Sequence, residues 1–271
     1  MPSTEGDAIA RSSTPVTSAS LAADLRVLGV RADGVVIVHS SLSKLGWIVG
    51  GAQAVVLAMQ SVVGEAGTLV LPTHSGHLSD PGKWEHPPVP SAWWPGIRAD
   101  MPAYDPRLTP TREMGAIVEC FRHVPGVVRS SHPRHSFAAL GPAAETIVAE
   151  HDLADSFGER TPLARAYELD AQVLLLGVGH ANNTSLHLAE ARGSFPKKRY
   201  TNGSPLIVDG RREWISYEGD DTDDADFETL GAAFARTGAQ REGPAGHGAA
   251  RLMSQRAVVD FAVDWMNANR P

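Results

Sequence analysis

The sequence predicts an α/β protein, a three-layer α/β/α domain around a largely parallel or mixed central sheet. Three observations carry this. Val35 to Val38 and Thr68 to Leu71 are apolar runs of strand length. The segment between them, 52–63, has helical length and stops at Gly64. A third run, Val173 to Leu176, leads into Gly177, Gly179 and a helix-like segment from Thr184. Such strand–helix–strand units build parallel sheets whose ligands bind at the carboxyl ends of the strands.

In chain order, residues 1–16 are rich in Ser, Thr, Gly and Pro and read as a disordered tail before a single domain, 17–271. Thr17 or Ser18 caps a helix carrying Leu21, Leu25 and Leu28, and Gly29 ends it. The first strand runs into a polar loop, Ser40-Ser41-Leu42-Ser43-Lys44, with Gly50-Gly51 beyond it. Residues 74–111 read as an inserted flap. Prolines from Pro81 to Pro110 exclude long regular structure, while Trp84, Trp93 and Trp94 point to a folded segment. Its acids, Asp80, Glu85, Asp100 and Asp105, suit either a cation site or solvent.

Met114-Gly115 opens a helix through Phe121, and 136–140 reads as a strand. A helix over 143–151 and another capped by Thr161, with Pro162 at its first position, come next. A hairpin turns at Asp209-Gly210, and the acid-rich 218–226 reads as a solvated loop. A helix over 227–234, a glycine-rich bend over 243–248 and a closing helix over 251–267 complete the chain.

A net charge of −7 argues against a nucleic-acid backbone as the main partner and is compatible with a cationic one. The single cysteine, Cys120, allows no internal disulfide and no cysteine zinc site. With no apolar run of spanning length and no apolar signal core, a cytoplasmic location is expected. His132 and His135 flank Pro133 without a third ligand at metal spacing, so no metal is expected there. Neither a Walker loop nor a dinucleotide fingerprint is present, but the hydroxyls of Ser40, Ser41 and Ser43, with Lys44, suit a phosphate or pyrophosphate.

Thr184, His187 and Glu190 recur every three residues and share one helix face. A carboxylate orients an imidazole, which then serves as a general base, and a nearby hydroxyl can meet an oxyanion. The same spacing also suits a capping threonine and a satisfied, half-buried histidine.

Taken in order, VHSSLSKLG (38–46), GTLVLPT (67–73), TPTREMGA (109–116), SSHPRHSFAALG (130–141) and LLLGVGHANNTSLHLAE (174–190) resemble the aminoglycoside 3-N-acetyltransferase family, over about residues 17–268. The flap looks like that of the branch handling apramycin, gentamicin and tobramycin. The resemblance implies acetyl transfer from acetyl-CoA to the 3-amino group of a 2-deoxystreptamine aminoglycoside, conferring resistance, by a monomer or homodimer. It implies that Ser40, Ser41, Leu42, Ser43 and Lys44 contact CoA, and that Thr73, Met114 and Gly115 line its pantetheine arm. His187 is then the base, Glu190 its acidic partner near the acceptor amine, and Thr184 stands at the oxyanion. Asp80 and Asn182 are implied contacts of the acceptor. Alternative readings are a different amine acceptor, a binding protein without turnover, and a hydrolase using Ser136.

Overall fold

A computed structural model describes residues 5–271. The chain begins with α1 (Glu5–Ala10) and α2 (Ser18–Leu28), then β1 (Val35–Ser40), α3 (Gly51–Val63) and β2 (Thr68–Pro72). The flap contributes two short 3-10 turns, Pro81–Lys83 and Ser91–Trp93, followed by α4 (Trp94–Asp100). There follow α5 (Gly115–Phe121), β3 (Val128–Arg129), β4 (Phe137–Leu140), α6 (Ala144–Val148), α7 (Pro162–Glu168), β5 (Gln172–Leu176) and α8 (Ser185–Arg192). The chain closes with β6 (Arg199–Val208), β7 (Arg211–Asp220), α9 (Phe227–Ala235), β8 (Arg241–Ala245), β9 (Gly248–Ser254) and α10 (Gln255–Asn269).

Seven strands form one mixed sheet in the order β3-β4-β2-β1-β5-β9-β8, and β6 and β7 pair separately. Within this sheet the parallel pairings are β2 with β1 and β1 with β5; the outer neighbours join antiparallel. Alternation along the central strands makes the three layers. Val36, Val38, Leu69, Leu71, Leu174 and Leu176 face the core under α2, α3 and α5. Val35, Ile37, Val70, Val173 and Leu175 face the core under α6 to α10. Side chains of a strand point alternately to opposite faces, and a strand buried on both needs the continuous apolar runs seen here.

Local chemistry sets several boundaries. Thr17 and Ser20 form a capping box on α2, and Gly29 ends it with φ of 103°. Thr161, expected to cap α7, makes no side-chain cap bond; its hydroxyl donates to the Gly158 carbonyl instead.

Two sequence expectations need correction. The tail is ordered from Glu5 onward: α1 is helical, Val16 bridges Ile48, and the Trp47 indole donates to Glu5 Oε1 at 3.0 Å. Residues 1–4 of that expectation lie outside the described residues. The bend over 243–248 is the tight turn of the β8–β9 hairpin, and α10 begins at Gln255, where Ser254 accepts the Ala257 N–H. Pro244 disguised β8, yet at a sheet edge a missing N–H costs no ladder bond.

The flap is fastened by Arg129, at the end of β3. Its guanidinium donates to the Thr73 and Thr109 carbonyls at 2.6 Å each and to Ser75 Oγ at 2.9 Å. One half-buried side chain therefore holds the flap's first and last residues together. Replacing it, as in Arg129→Leu, removes the donor to the buried Thr109 carbonyl and one of the two donors to the Thr73 carbonyl, and is expected to destabilise the fold by about 3 kcal/mol. Urea denaturation with limited proteolysis of the flap checks this; wild-type stability and resistance would contradict it.

Candidate active site

The carboxyl ends of β1, β2 and β5 and the amino end of β4 meet at one edge of the sheet, and the predicted site residues collect there. Asn183 starts α8: its Oδ1 accepts the Ser185 N–H at 3.2 Å. Thr184 makes no cap bond with its side chain, so the capping alternative falls away. It lines instead a chamber of about 360 Å³ with His39, Ser40, His74, Asn182 and His187.

His187 Nδ1 lies 2.8 Å from Glu190 Oε2. A carboxylate only accepts, so in the neutral ring Nδ1 carries the proton and Nε2 holds the free lone pair. Phe157 stacks on the imidazole at 4.7 Å between centroids, and Phe227 lies against it at 4.9 Å. The other Glu190 oxygen, Oε1, accepts from the Asp223 N–H at 2.9 Å and from Arg270 at 2.6 Å. Both oxygens of this buried carboxylate are thus committed, Oε2 to His187 and Oε1 to Arg270 and the Asp223 N–H.

A groove of about 1040 Å³ opens beside the chamber. Ser40, Ser41, Leu42, Ser43, Lys44, Met114, Gly115 and Asn182 all line it. Gly51, at the start of α3, reaches it too, and the N-cap Gly50 offers no capping side chain. Uncapped N–H groups at a helix start favour an anion. Groove and chamber share Ser40, Glu113, Met114 and Asn182. At this junction Ser40 Oγ and His39 Nε2 are buried without a partner, which fits a polar group arriving from outside the protein.

On the far side, a cleft of about 570 Å³ runs under the flap, lined by His74, Trp84, Glu85, Glu113, Arg134 and His135. A smaller cavity next to His187 is edged by Asp155, Tyr200, Asp220 and Asp221. Burial pushes the Asp155 carboxyl up, against the Gly158 and Glu159 N–H groups that favour its charge. Loop and hairpin acids therefore edge one cavity that His187 lines, while Glu113 and Asp224 line the chamber on its other side.

With this geometry described, its relatives can be compared. The sequence profile of the family described as aminoglycoside 3-N-acetyltransferase matches residues 37–267. The chain belongs to that family, whose members are acyltransferases. It is 43% identical to the SPbeta prophage-derived aminoglycoside N(3')-acetyltransferase-like protein YokD of Bacillus subtilis, over 94% of each chain. The crystal structure of YokD superposes with a TM-score of 0.95, covering 97% of this chain and 98% of that one. Aminoglycoside N(3)-acetyltransferase VII of Streptomyces paromomycinus is 37% identical over 94% of this chain and 93% of its own. Among solved structures, AAC-IIIb as a binary complex with CoASH shares 29% identity and a TM-score of 0.86, over 95% of this chain and 99% of that one. AAC-VIa bound to sisomicin shares 31% and 0.84, over 94% and 98%.

Two residues implied by the family resemblance sit elsewhere in this acetyltransferase. Thr73 is wholly buried and does not line the groove; its hydroxyl accepts from Arg129 and bonds Ser136 Oγ. Asp80 holds Arg98 through both oxygens, at 2.8 and 2.9 Å, and caps the Gly82 N–H. It braces the flap and lines neither chamber nor cleft. Ser136 donates to the Thr73 carbonyl, which disfavours it as a nucleophile.

Several residues of the site escaped sequence reasoning. Glu5 and Ala8 of α1 wall the groove, and Tyr200, Asp220 and Asp221 come from the hairpin. His39 stood in the polar loop but carried no spacing signal. The SSHPRH motif is structural in part: His132 Nδ1 accepts the Arg134 and His135 N–H groups, and its Nε2 meets Ser156. His132 and His135 stack at 5.1 Å. Among the described residues, no group of three or more His, Cys, Asp or Glu is arranged to hold a metal.

The acetyltransferase keeps these rings neutral. Burial, with the neighbouring His187 and His180, lowers His39 to about 3; burial lowers His151 to about 4. Burial also pulls His74, His132 and His135 well below the ordinary histidine value. Above pH 6.5 folded and unfolded rings are both neutral. Below it the unfolded chain takes up protons that folded His39 and His151 refuse until about 3 and 4, so stability falls as pH drops through that window. These two rings alone give a slope of about 2 to 3 kcal/mol per pH unit near pH 5. Urea midpoints at pH 7, 6 and 5 check it; a flat series would contradict neutral burial.

Gly177 tests the groove. Its φ is 73°, and a Cβ there would lie 2.9 Å from Lys44 Cβ and 3.1 Å from the Ser41 carbonyl. Gly177→Ala is expected to shift the Ser41–Lys44 loop and weaken CoA binding by about tenfold or more, as read by calorimetry. Unchanged affinity would remove this loop from the CoA site.

Proposed function

We propose that this acetyltransferase moves the acetyl group of acetyl-CoA onto the 3-amino group of 2-deoxystreptamine aminoglycosides, by direct transfer with His187 as general base, and so confers resistance. The observation that carries the reading is the His187–Glu190 pair: His187 lines the chamber that joins the phosphate-friendly groove at Ser40, Glu113, Met114 and Asn182, and also a small cavity edged by acids. The CoASH complex of AAC-IIIb supports CoA in the groove, and the sisomicin complex of AAC-VIa supports an aminoglycoside in the cleft.

In this reading Ser40, Ser41, Leu42, Ser43 and Lys44 hold CoA, and Met114 and Gly115 flank the arm that reaches the chamber. Asp155, Asp220 and Asp221 draw in a polycationic acceptor, with Asn182 at the boundary between the two substrates. Acids favour the protonated amine, so a separate base is needed. His187 Nε2 takes a proton from the attacking amine as its nitrogen bonds to the thioester carbonyl carbon. The Thr184 hydroxyl donates to the oxygen that gains charge. The C–S bond then breaks, the amide remains, and the imidazolium returns its proton to the departing thiolate. Glu190 fixes the tautomer and steadies the imidazolium between these steps.

Thiol release from acetyl-CoA with an aminoglycoside panel tests this. Drug-dependent release is expected, falling about a hundredfold to ten-thousandfold in His187→Ala while CoA binding persists. Undiminished release in the variant would overturn the base assignment. No release with any aminoglycoside would overturn the acceptor and point to another amine.

A further inference from the structure

Behind the His187–Glu190 pair stands a cation that the acetyl-transfer chemistry does not use directly. Arg270 follows α10, and its side chain is 12% exposed. Its Nη1 donates to Glu190 Oε1 at 2.6 Å. Its Nε and Nη2 reach the two Asp226 oxygens at 2.9 and 2.6 Å, and Nη2 also donates to the Asp223 carbonyl at 2.7 Å. The Asp223 N–H completes the ring on Glu190 Oε1. The guanidinium lies 5.1 Å from the Phe195 ring and 6.0 Å from Phe227, the ring that touches His187.

We infer that Arg270 is a positioning residue that sets the strength of the catalytic base: by sharing the charge of Glu190 it limits how tightly that carboxylate holds the protonated His187. This rests on the proposal that His187 is the base. The argument is electrostatic. Glu190 is one carboxylate between two cation sites, Arg270 on Oε1 and the His187 imidazolium on Oε2. Opposite charges at these distances shift a titration by about one unit or more, and a cation on the far oxygen opposes that shift. Burial works against the charge on Arg270, yet hydrogen bonds from Asp226 and Glu190 raise its pKa above the ordinary value, so it stays charged whenever His187 titrates. Arg270 also locks Oε1 away from the imidazole, which leaves Oε2 facing Nδ1.

Other groups face His187 from neighbouring elements. His39 in β1 and His74 after β2 stay neutral, His135 before β4 likewise. Asp155, Asp220, Asp221 and Asp224, with Lys197, stand around the two cavities that His187 lines. All of these remain in place when Arg270 alone is changed, so the difference between variant and wild type reads Arg270.

The test is an NMR titration of the His187 ring, assigned by its loss in His187→Gln, alongside kcat/KM against pH. In Arg270→Gln the freed carboxylate holds the imidazolium more tightly. The His187 titration is expected to rise by about one pH unit, and the acid limb of kcat/KM to rise with it. At the foot of the acid limb the rate then falls about tenfold, and it recovers at alkaline pH. Arg270→Lys keeps the charge and leaves the titration near wild type. Asp226→Asn removes the competing anion and moves it the other way, downward, which provides a second reading if Arg270→Gln folds poorly. A uniform loss of rate across pH with an unmoved His187 titration would overturn the inference and leave a structural role. If the ring titration moves as expected while the acid limb of kcat/KM does not follow, the control by Arg270 stands and the assignment of His187 as base fails.

Discussion

Three strands run parallel, and that constraint places all the chemistry. Ser40 at the end of β1 pairs with Leu176 at the end of β5, and the Ser41 N–H donates to the Leu176 carbonyl at 3.0 Å. The two loops that leave these strands must therefore pass one another at close quarters. Gly177 has no side chain because Lys44 and Ser41 occupy its space. One loop then forms the groove for a phosphate-bearing partner, and the other runs directly into α8 with its threonine, histidine and glutamate. The strand direction alone makes the groove and the start of α8 neighbours.

The second feature of the molecule is how much polarity it buries. His39, His132, His151 and His180 lie inside, and Ser130, Ser156 and backbone groups occupy the nitrogens of His132 and His151. Rings of this kind fill space like aromatic residues and still present nitrogen. His135, Phe157 and His187 stack in succession, at 4.6 and 4.7 Å. This packing holds the His187 imidazole in one orientation. Its consequence is acid sensitivity, since each buried neutral ring favours the folded state less as the pH falls below 6.5.

The flap and the β6–β7 hairpin act as one wall. Ser204 donates to the Leu78 carbonyl, Asn202 accepts the Asp80 N–H, and the Tyr104 N–H reaches the Pro205 carbonyl at 3.0 Å. Arg212 donates to the Met101 and Arg98 carbonyls. Arg129 then ties this wall to the sheet. Asp80 belongs to the same bracing, which is why a carboxylate that looked free in the sequence is paired with Arg98.

Periodicity and punctuation in the sequence determined much of the fold and part of the site. Apolar runs at strand length, Gly29 and Gly64 as stops, and the Asp209-Gly210 turn are local signals, and local signals survive into the structure because each acts within a few residues. The triplet Thr184, His187 and Glu190 was legible for the same reason: a helix turn alone brings it together. What tertiary structure decided is everything that depends on distant partners. The β8–β9 hairpin carries glycine and proline that read as a bend, and only its place at the sheet edge makes it strand. The family resemblance implies site roles for Asp80 and Thr73, but Arg98, 18 residues beyond Asp80, and Arg129, 56 residues beyond Thr73, claim them. Arg270 lies eighty residues from Glu190 and touches it at 2.6 Å. No spacing rule reaches that far, because the contact exists only once α8, α9 and α10 have packed on the same face of the sheet.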